Sequence, residues 1–441
     1  MRVILAEKPS VAQSIAAVLG ADQKKNGYLQ GENDFVSWCI GHLIELAPPE
    51  IYDARYAKWR REDLPIVPSA WESVVSDGTK KQFAVLKDLL NRTDVDEVVC
   101  ATDAGREGEL IFRMVYEKTG CTKPVKRLWI SSLEESAIRE GFRSLKPGSA
   151  YDALYRAALC RAQADWLVGI NGTRLYSRLY GTKLNVGRVM TPTLAMLVQR
   201  EREIAAFQVE PFYTVQLSCG FLAQSERMKT REEAEQIRAA CHCKKAAVKQ
   251  IERRQKKEKP PKLYDLTALQ RDANRIYGYT AQQTLDYAQT LYEKKLATYP
   301  RTDSRFLTHD LRDRLPALIE CVAQVLPFAS GLPLAVHTQQ VIRDEKVSDH
   351  HAIIPTQNMT REALAQLPMG ESSILTLLAV RLLAATGEPC ETDEVTVTLD
   401  CEGHDFTAKG STVRQMGYKV FEETFRGSLG SRERKEQEYP I

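Results

Sequence analysis

No apolar run in this chain approaches the ~20 residues needed to span a bilayer, and no signal-peptide pattern precedes its first β-prone stretch. Paired cysteine spacing is missing as well. Ten cysteines are scattered through 441 residues, and the tightest pair, Cys241-His-Cys243, is too close for a tetrahedral zinc site. Unpaired thiols in a chain with enough apolar residues for packed cores fit a reducing cytosol, so a cytoplasmic protein without membrane contact is expected. There is no glycine-rich loop ending in Gly-Lys-Ser/Thr, which argues against ATP use. Excess charge of one sign is lacking too. The net charge is only +3, so any nucleic-acid binding has to be argued from local clusters.

What is present is core. With 43% hydrophobic residues and this length, two to four domains are expected. The chain opens with Arg2-Val-Ile-Leu-Ala6, a β-prone run, followed at once by Glu7-Lys8-Pro9-Ser10. Ser10 is read as the cap of an apolar-periodic helix that closes on Gly20. The pattern recurs at Asp96–Ala101, Thr102-Asp-Ala-Gly-Arg-Glu-Gly-Glu109 and a helical run ending near Gly120. A further strand, Val125–Ile130, follows before another helix. Alternating strands and helices predict a parallel sheet with helices on its faces. Residues just past the carboxyl ends of such strands line the functional crevice. Glu7, Asp103 and Glu107 occupy such positions, so three carboxylates are expected to converge there, with Mg²⁺ as the hard cation that relieves their repulsion. Gly108 is expected to matter little. Taken singly, each acid also fits a solvated loop or an exposed helix start.

A second signal lies at Thr298-Tyr-Pro-Arg-Thr-Asp-Ser304. Thr280 and Gln283 form a capping box, and Leu285, Ala288, Leu291 and Tyr292 give the helix it opens an apolar face. Pro300 forbids helix, leaving Tyr299 extended just past the helix end. Arg301 stands two residues on, close enough to fork onto an oxyanion attacked by Tyr299. From local sequence alone, a buried tyrosine beside a turn fits equally well. Elsewhere, Trp59 is framed by cations in Arg55-Tyr-Ala-Lys-Trp-Arg-Arg61, Trp166 and Arg174 share a predicted helix face, and Gly187 beside Arg188 offers close backbone approach to a phosphate. Ordinary core packing is the competing reading for each tryptophan. Between Lys244 and Lys262, nine Lys/Arg stand against two Glu; this is read as a strand edge and linker, with simple solvation the plainer account.

Ala6–Ser10, Ala101–Glu109 and Thr298–Ser304 resemble the motifs of type IA DNA topoisomerases, closest to the topoisomerase III branch. Ala164-Asp-Trp-Leu-Val-Gly-Ile-Asn171, Val186-Gly-Arg-Val-Met-Thr-Pro192 and Asp349-His-His-Ala-Ile-Ile-Pro-Thr356 resemble further signatures, in the family's order. The resemblance runs from residue 1 to about Val420. It implies a multidomain α/β plus α and β fold, with an amino-terminal toprim domain and a split, toroidal body. It also implies Mg²⁺ held by Glu7 and Asp103, with Glu107 as a further acidic member. Tyr299 would be the nucleophile, Arg301 would steady the scissile phosphate and Lys8 would assist the leaving oxygen. His350 falls in the active-site neighbourhood. The implied strand-binding groove takes in Trp59, Arg161, Asp165, Trp166, Arg174, Asn185, Val186, Gly187, Arg188, Val189 and Met190, together with Arg301 and His350. Single-stranded or underwound DNA is the expected partner of a nucleoid-associated monomer, with a helicase as its companion.

The expected division is a toprim domain over 1–134, a helical groove domain over 150–212 and a β part over 213–262. A helical domain carrying Tyr299 over 263–392, a returning β part over 393–424 and a polar tail over 425–441 complete it. Two departures qualify the resemblance. Family toprim sites often read Asp-x-Asp-x-Glu, whereas Gly105 replaces the middle carboxylate here, so one Mg²⁺ is expected rather than two. The family's chains also run well beyond the equivalent of Val420, so strand cleavage is expected to survive better than relaxation of supercoils. A cleavage-only or non-catalytic single-strand-binding remnant is the alternative; a toprim primase or nuclease would leave Tyr299-Pro-Arg301 unused.

Overall fold

The structure, a computed structural model, describes residues 1–131, 133–347 and 350–429. Two compact units emerge. One comprises Met1–Ala205, Ala288–Thr302 and Ser348–His351; the other comprises Ala206–Tyr287, Asp303–Val347 and Ala352–Ile441.

In chain order the first unit holds β1 (Arg2–Ala6), α1 (Pro9–Leu19), β2 (Gln23–Lys25), β3 (Tyr28–Gln30), β4 (Asp34–Trp38), β5 (Ile44–Leu46), α2 (Pro49–Tyr52), β6 (Ser73–Val75), α3 (Lys80–Leu90), β7 (Glu97–Ala101), α4 (Arg106–Thr119), β8 (Val125–Arg127), α5 (Glu135–Arg143), β9 (Lys146–Pro147), α6 (Asp152–Tyr180) and α7 (Met190–Ala205). Its main sheet runs β2-β3-β4-β1-β7-β8-β9. The β4-β1-β7-β8 centre is parallel, as expected, and β2, β3 and β9 add antiparallel flanks. Because successive strand side chains point to opposite faces, β1 feeds two cores. Val3 and Leu5 join Val98, Leu86 and Phe112 on one face; Ile4 and Ala6 join Val99, Ile15 and Ile138 on the other. Ile4 is fully buried, and its truncation to Ala would cost about 2–5 kcal/mol.

Gly20 ends α1 in the left-handed conformation, φ 74°, as its position suggested. Ser10 does not cap that helix. Pro9 fills its first turn, where a missing N–H costs nothing, and Lys8 is the flanking residue, with no side-chain cap. The long α6 buries only Ala158, Arg174 and Ser177, and α7 buries none of its residues.

The second unit contains β10 (Gln216–Ser218), β11 (Leu222–Ser225), α8 (Arg231–Cys241), β12 (Ala247–Glu258), α9 (Leu266–Tyr277), most of α10 (Ala281–Glu293), α11 (Leu315–Val325), α12 (Arg361–Gln366), α13 (Met369–Ala385), β13 (Cys390–Cys401), β14 (His404–Gln415) and α14 (Lys419–Ser428). The two β-rich stretches of sequence pair into one sheet, ordered β10-β11-β14-β13-β12, and the basic run forms its exposed edge strand β12. Helix α8 interrupts a region read as continuous β. Thr230 accepts from Glu233 N, a capping signal the reading missed. The box expected at the start of α10 is present: Gln283 N donates to Thr280 Oγ1 at 3.1 Å and Thr280 N donates to Gln283 Oε1 at 2.9 Å. Helix α13 is buried on nearly every side, as a core helix must be. The polar tail expected over 425–441 begins instead inside α14, where Phe421 and Phe425 are buried. Residues 430–441 lie outside the described residues.

Candidate active site

Strands β1 and β7 are parallel neighbours in register, Ala6 opposite Ala101, so their carboxyl ends finish side by side. Glu7 and Asp103 follow those ends, and Asp103 N donates to Glu7 Oε2 at 3.1 Å. The first turn of α4 presses against this loop: a Cβ at Gly108 would stand 2.0 Å from the Asp103 carbonyl oxygen. Gly108 therefore matters more than the sequence suggested, since any side chain would displace the loop.

Tyr299 belongs to the same unit and completes the group. Its hydroxyl donates to Asp103 Oδ2 at 2.9 Å, and its backbone N–H donates to Ser131 O at 3.3 Å. Its ring meets Tyr292 edge-on, centroids 5.3 Å apart, and lies 4.3 Å from the His350 ring. His350 is itself held, with Nδ1 3.1 Å from Ser131 Oγ and its carbonyl accepting from Thr302 Oγ1 at 2.7 Å. Of the motif that contains it, Asp349 lies outside the described residues.

Burial dominates the electrostatics. It raises Glu7 to about 7, with the neighbouring Asp103 charge adding to the effect. Burial raises Asp103 as well, against the opposing Tyr299 hydrogen bond. The Tyr299 phenol is driven well above its ordinary range by burial, then by the Asp103 and Glu7 charges. Burial pushes His350 down to about 4, so its ring is neutral near pH 7. Exposed Arg301 works the other way, its charge favouring ionisation of Glu7, Asp103 and Tyr299. Lys8 Nζ lies 3.6 Å from Glu293 Oε1 and also favours the Glu7 and Asp103 anions.

The expected convergence of three carboxylates is corrected to two. Glu107 lies in the first turn of α4, half exposed, and pairs with His42 Nε2 at 2.7 Å. Among the described residues no three His, Cys, Asp or Glu side chains gather as a metal cluster. Glu7 and Asp103 still form a donor set that suits a hard divalent cation: two partly buried carboxylates, each made harder to ionise by its surroundings.

The proposed strand-contact residues separate into two groups. Arg188 Nε meets Asp165 Oδ1 at 2.5 Å, Arg161 Nε lies 3.9 Å from Asp165 Oδ2, and the Arg161 charge also reaches Glu107. Val186 is tied down by its N–H to Thr173 Oγ1 at 2.9 Å, while Asn185, Val189 and Met190 are exposed around Gly187. These residues present charge and backbone outward. Trp166 and Arg174 turn inward instead. Trp166 Nε1 donates to Ala47 O at 3.0 Å and its ring packs edge-on against Tyr52 and Trp71. Arg174 is buried, donates to Tyr56 O at 2.7 Å and stacks over Trp59 at 5.5 Å. Arg174 is thus packed inside, while Trp166 remains partly exposed. Reading the sequence also missed His42 and Arg127. His42 stands just beyond the carboxyl end of β4, the positional rule that singled out Glu7; nothing local marks Arg127.

A family model described as "DNA topoisomerase" matches residues 149–439, and one described as "Toprim domain" matches residues 2–133. The chain belongs to the DNA topoisomerase family. Its relatives include DNA topoisomerase 3 of Bacillus licheniformis, 43% identical over 99% of this chain and 62% of the relative. DNA topoisomerase 3 of Bacillus subtilis is 43% identical over 95% of this chain and 59% of the relative. The chain thus spans about three fifths of the length of these family members. The fold is shared with full-length topoisomerase I from Thermotoga maritima, at a TM-score of 0.71 and 23% identity, over 96% of this chain and 67% of that one. Among the described residues no helix is long and apolar enough to cross a membrane.

Proposed function

We propose that this chain carries the strand-cleaving site of a type IA topoisomerase, with Tyr299 as nucleophile and single-stranded or underwound DNA as substrate. The observation that carries the reading is the 2.9 Å hydrogen bond from the Tyr299 hydroxyl to Asp103, a carboxylate at the end of a toprim strand. A primase or nuclease would have no use for that tyrosine.

Tyr299 Oη attacks the scissile phosphorus in line. The bond from phosphorus to the sugar O3′ breaks, leaving a 5′-phosphotyrosine and a 3′-hydroxyl. The phenol proton passes to Asp103, which already accepts its hydrogen bond. Lys8, next to Glu7 in the chain, gives the departing O3′ its proton. Lys8 and exposed Arg301 supply positive charge beside the reacting phosphate. Glu7 and Asp103 would hold Mg²⁺, whose chemistry there is to offset negative charge on the phosphate. Resealing reverses these transfers, and the covalent link conserves the phosphodiester's energy without a nucleotide. On this reading residues 1–134 form the toprim part, 150–212 the strand groove, 263–392 the Tyr299-bearing part, and 213–262 with 393–424 the β part.

The test is an end-labelled single-stranded oligonucleotide incubated with the chain and Mg²⁺, then run on a denaturing gel. A protein-linked band is expected with the wild type and none with Tyr299→Phe. Persistence of the band in the variant would move the nucleophile elsewhere.

A further inference from the structure

Arg127, at the end of β8, is fully buried, where an arginine is found only when paired. Its Nη1 donates to the carbonyl oxygens of Cys100 at 3.1 Å, Thr102 at 2.8 Å and Leu128 at 2.8 Å. Its Nη2 donates to the Asp103 carbonyl at 2.7 Å. Three of these four acceptors lie in the short run that takes β7 into the site. Glu109, equally buried, balances the charge: its Oε2 is 3.1 Å from Arg127 Nε, a close ion contact off the hydrogen-bonding line. The other Glu109 oxygen takes Arg113 Nε at 2.9 Å, and Arg113 Nη2 continues to Asp152 Oδ1 at 2.9 Å, at the start of α6. The Trp129 ring lies 5.1 Å from the guanidinium.

Both backbone groups of Asp103 are therefore engaged by ionisable side chains. Its carbonyl is held by Arg127 from within the core, and its N–H is held by Glu7 at the site. A planar fork reaches several carbonyls at once and fixes their relative positions, which a single ammonium cannot do. We infer that Arg127, braced by Glu109, is a positioning residue. It sets the Asp103 loop so that this carboxylate meets both the cation and the Tyr299 hydroxyl. The inference rests on the strand-cleavage reading for its consequence on DNA, but its effect on the Glu7–Asp103 pair is measurable without DNA.

The test uses the full chain and the double variant Arg127→Met with Glu109→Met, which removes both buried charges together and leaves neither unpaired. Mn²⁺ affinity is read by calorimetry without DNA, and the Mg²⁺ midpoint for the covalent band is read on the oligonucleotide. The expected result is a loss of about tenfold or more in Mn²⁺ affinity with a matching rise in the Mg²⁺ midpoint, as for outer partners of metal ligands. Metal-free oligonucleotide binding should stay within about twofold of wild type. A folded double variant with Mn²⁺ affinity and Mg²⁺ midpoint within twofold of wild type would reduce Arg127 to a structural role. Should the double variant fail to fold, Arg127→Lys decides on the same criteria, since it keeps the charge beside Glu109 but not the fork. No Mn²⁺ binding by the wild type would also overturn the inference. Wild-type Mn²⁺ binding without any covalent band would sink the cleavage reading alone.

Discussion

Tyr299 and Asp103 are 196 positions apart in the chain, yet the phenol of one donates to Oδ2 of the other at 2.9 Å. On the cleavage reading this bond aims the phenol at the carboxylate that would take its proton. Burial and the charges of two nearby acids raise the phenol's pKa and the Arg301 charge opposes them, so on that reading a cation brought with the phosphate would favour its ionisation.

Tyr299→Phe separates chemistry from binding. Covalent attachment should vanish, while affinity for a single-stranded oligonucleotide, read by anisotropy, stays within about twofold because only one hydroxyl is lost. Loss of the donor to Asp103 should cost about 1 kcal/mol, read from the urea midpoint.

Glu7 should make the metal-free protein pH-sensitive. Its folded pKa of about 7 lies above its ordinary 4.5, so the folded chain holds an extra proton between those values. Stability from this group is complete below pH 4.5 and is lost as pH rises through 7. In EDTA, Glu7→Gln should therefore be more stable than wild type at pH 8, on the order of 1–3 kcal/mol, with no gain at pH 4. Urea titrations at the two pH values check this; equal gains at both would show that the Glu7 charge is not strained. Adding Mg²⁺ should reverse the order at pH 8, because only the wild type keeps both carboxylates.

Two converging carboxylates with Gly105 between Asp103 and Glu107 predict one cation. Mn²⁺ calorimetry should fit a single site that Asp103→Ala abolishes. Glu107→Gln, which removes a charge already paired with His42, should weaken it by less than about tenfold. Two clear binding steps in the wild type would refute this.

Arg188 pairs with Asp165 at the surface, an ion pair of small stabilising value, so its charge remains available to a phosphate. Arg188→Met should weaken binding evenly across oligonucleotide sequences. It should also reduce the slope of log affinity against log salt by about 0.7, the single-strand value for one phosphate contact. An unchanged slope would remove Arg188 from the groove. Arg174→Met should instead lower thermal stability, since that guanidinium is buried.

Features that depend on a few neighbouring residues were legible in the sequence. The β-prone run Arg2–Ala6 forms a strand, Gly20 closes a helix, and Thr280 with Gln283 opens another. Such patterns act over one turn or one pleat, so periodicity and capping chemistry suffice to find them. Motif order pointed to the family. Helix α8 escaped because the β-like alternation around it outweighed a single cap at Thr230. Tertiary structure alone decided that Glu107 turns to His42 and that Arg174 is buried against the Trp59 ring. It alone revealed that Gly108 must lack a side chain, and that a buried Arg127 grips the Asp103 loop. Each of these depends on how distant segments pack, and local spacing carries no information about which neighbour a side chain will meet.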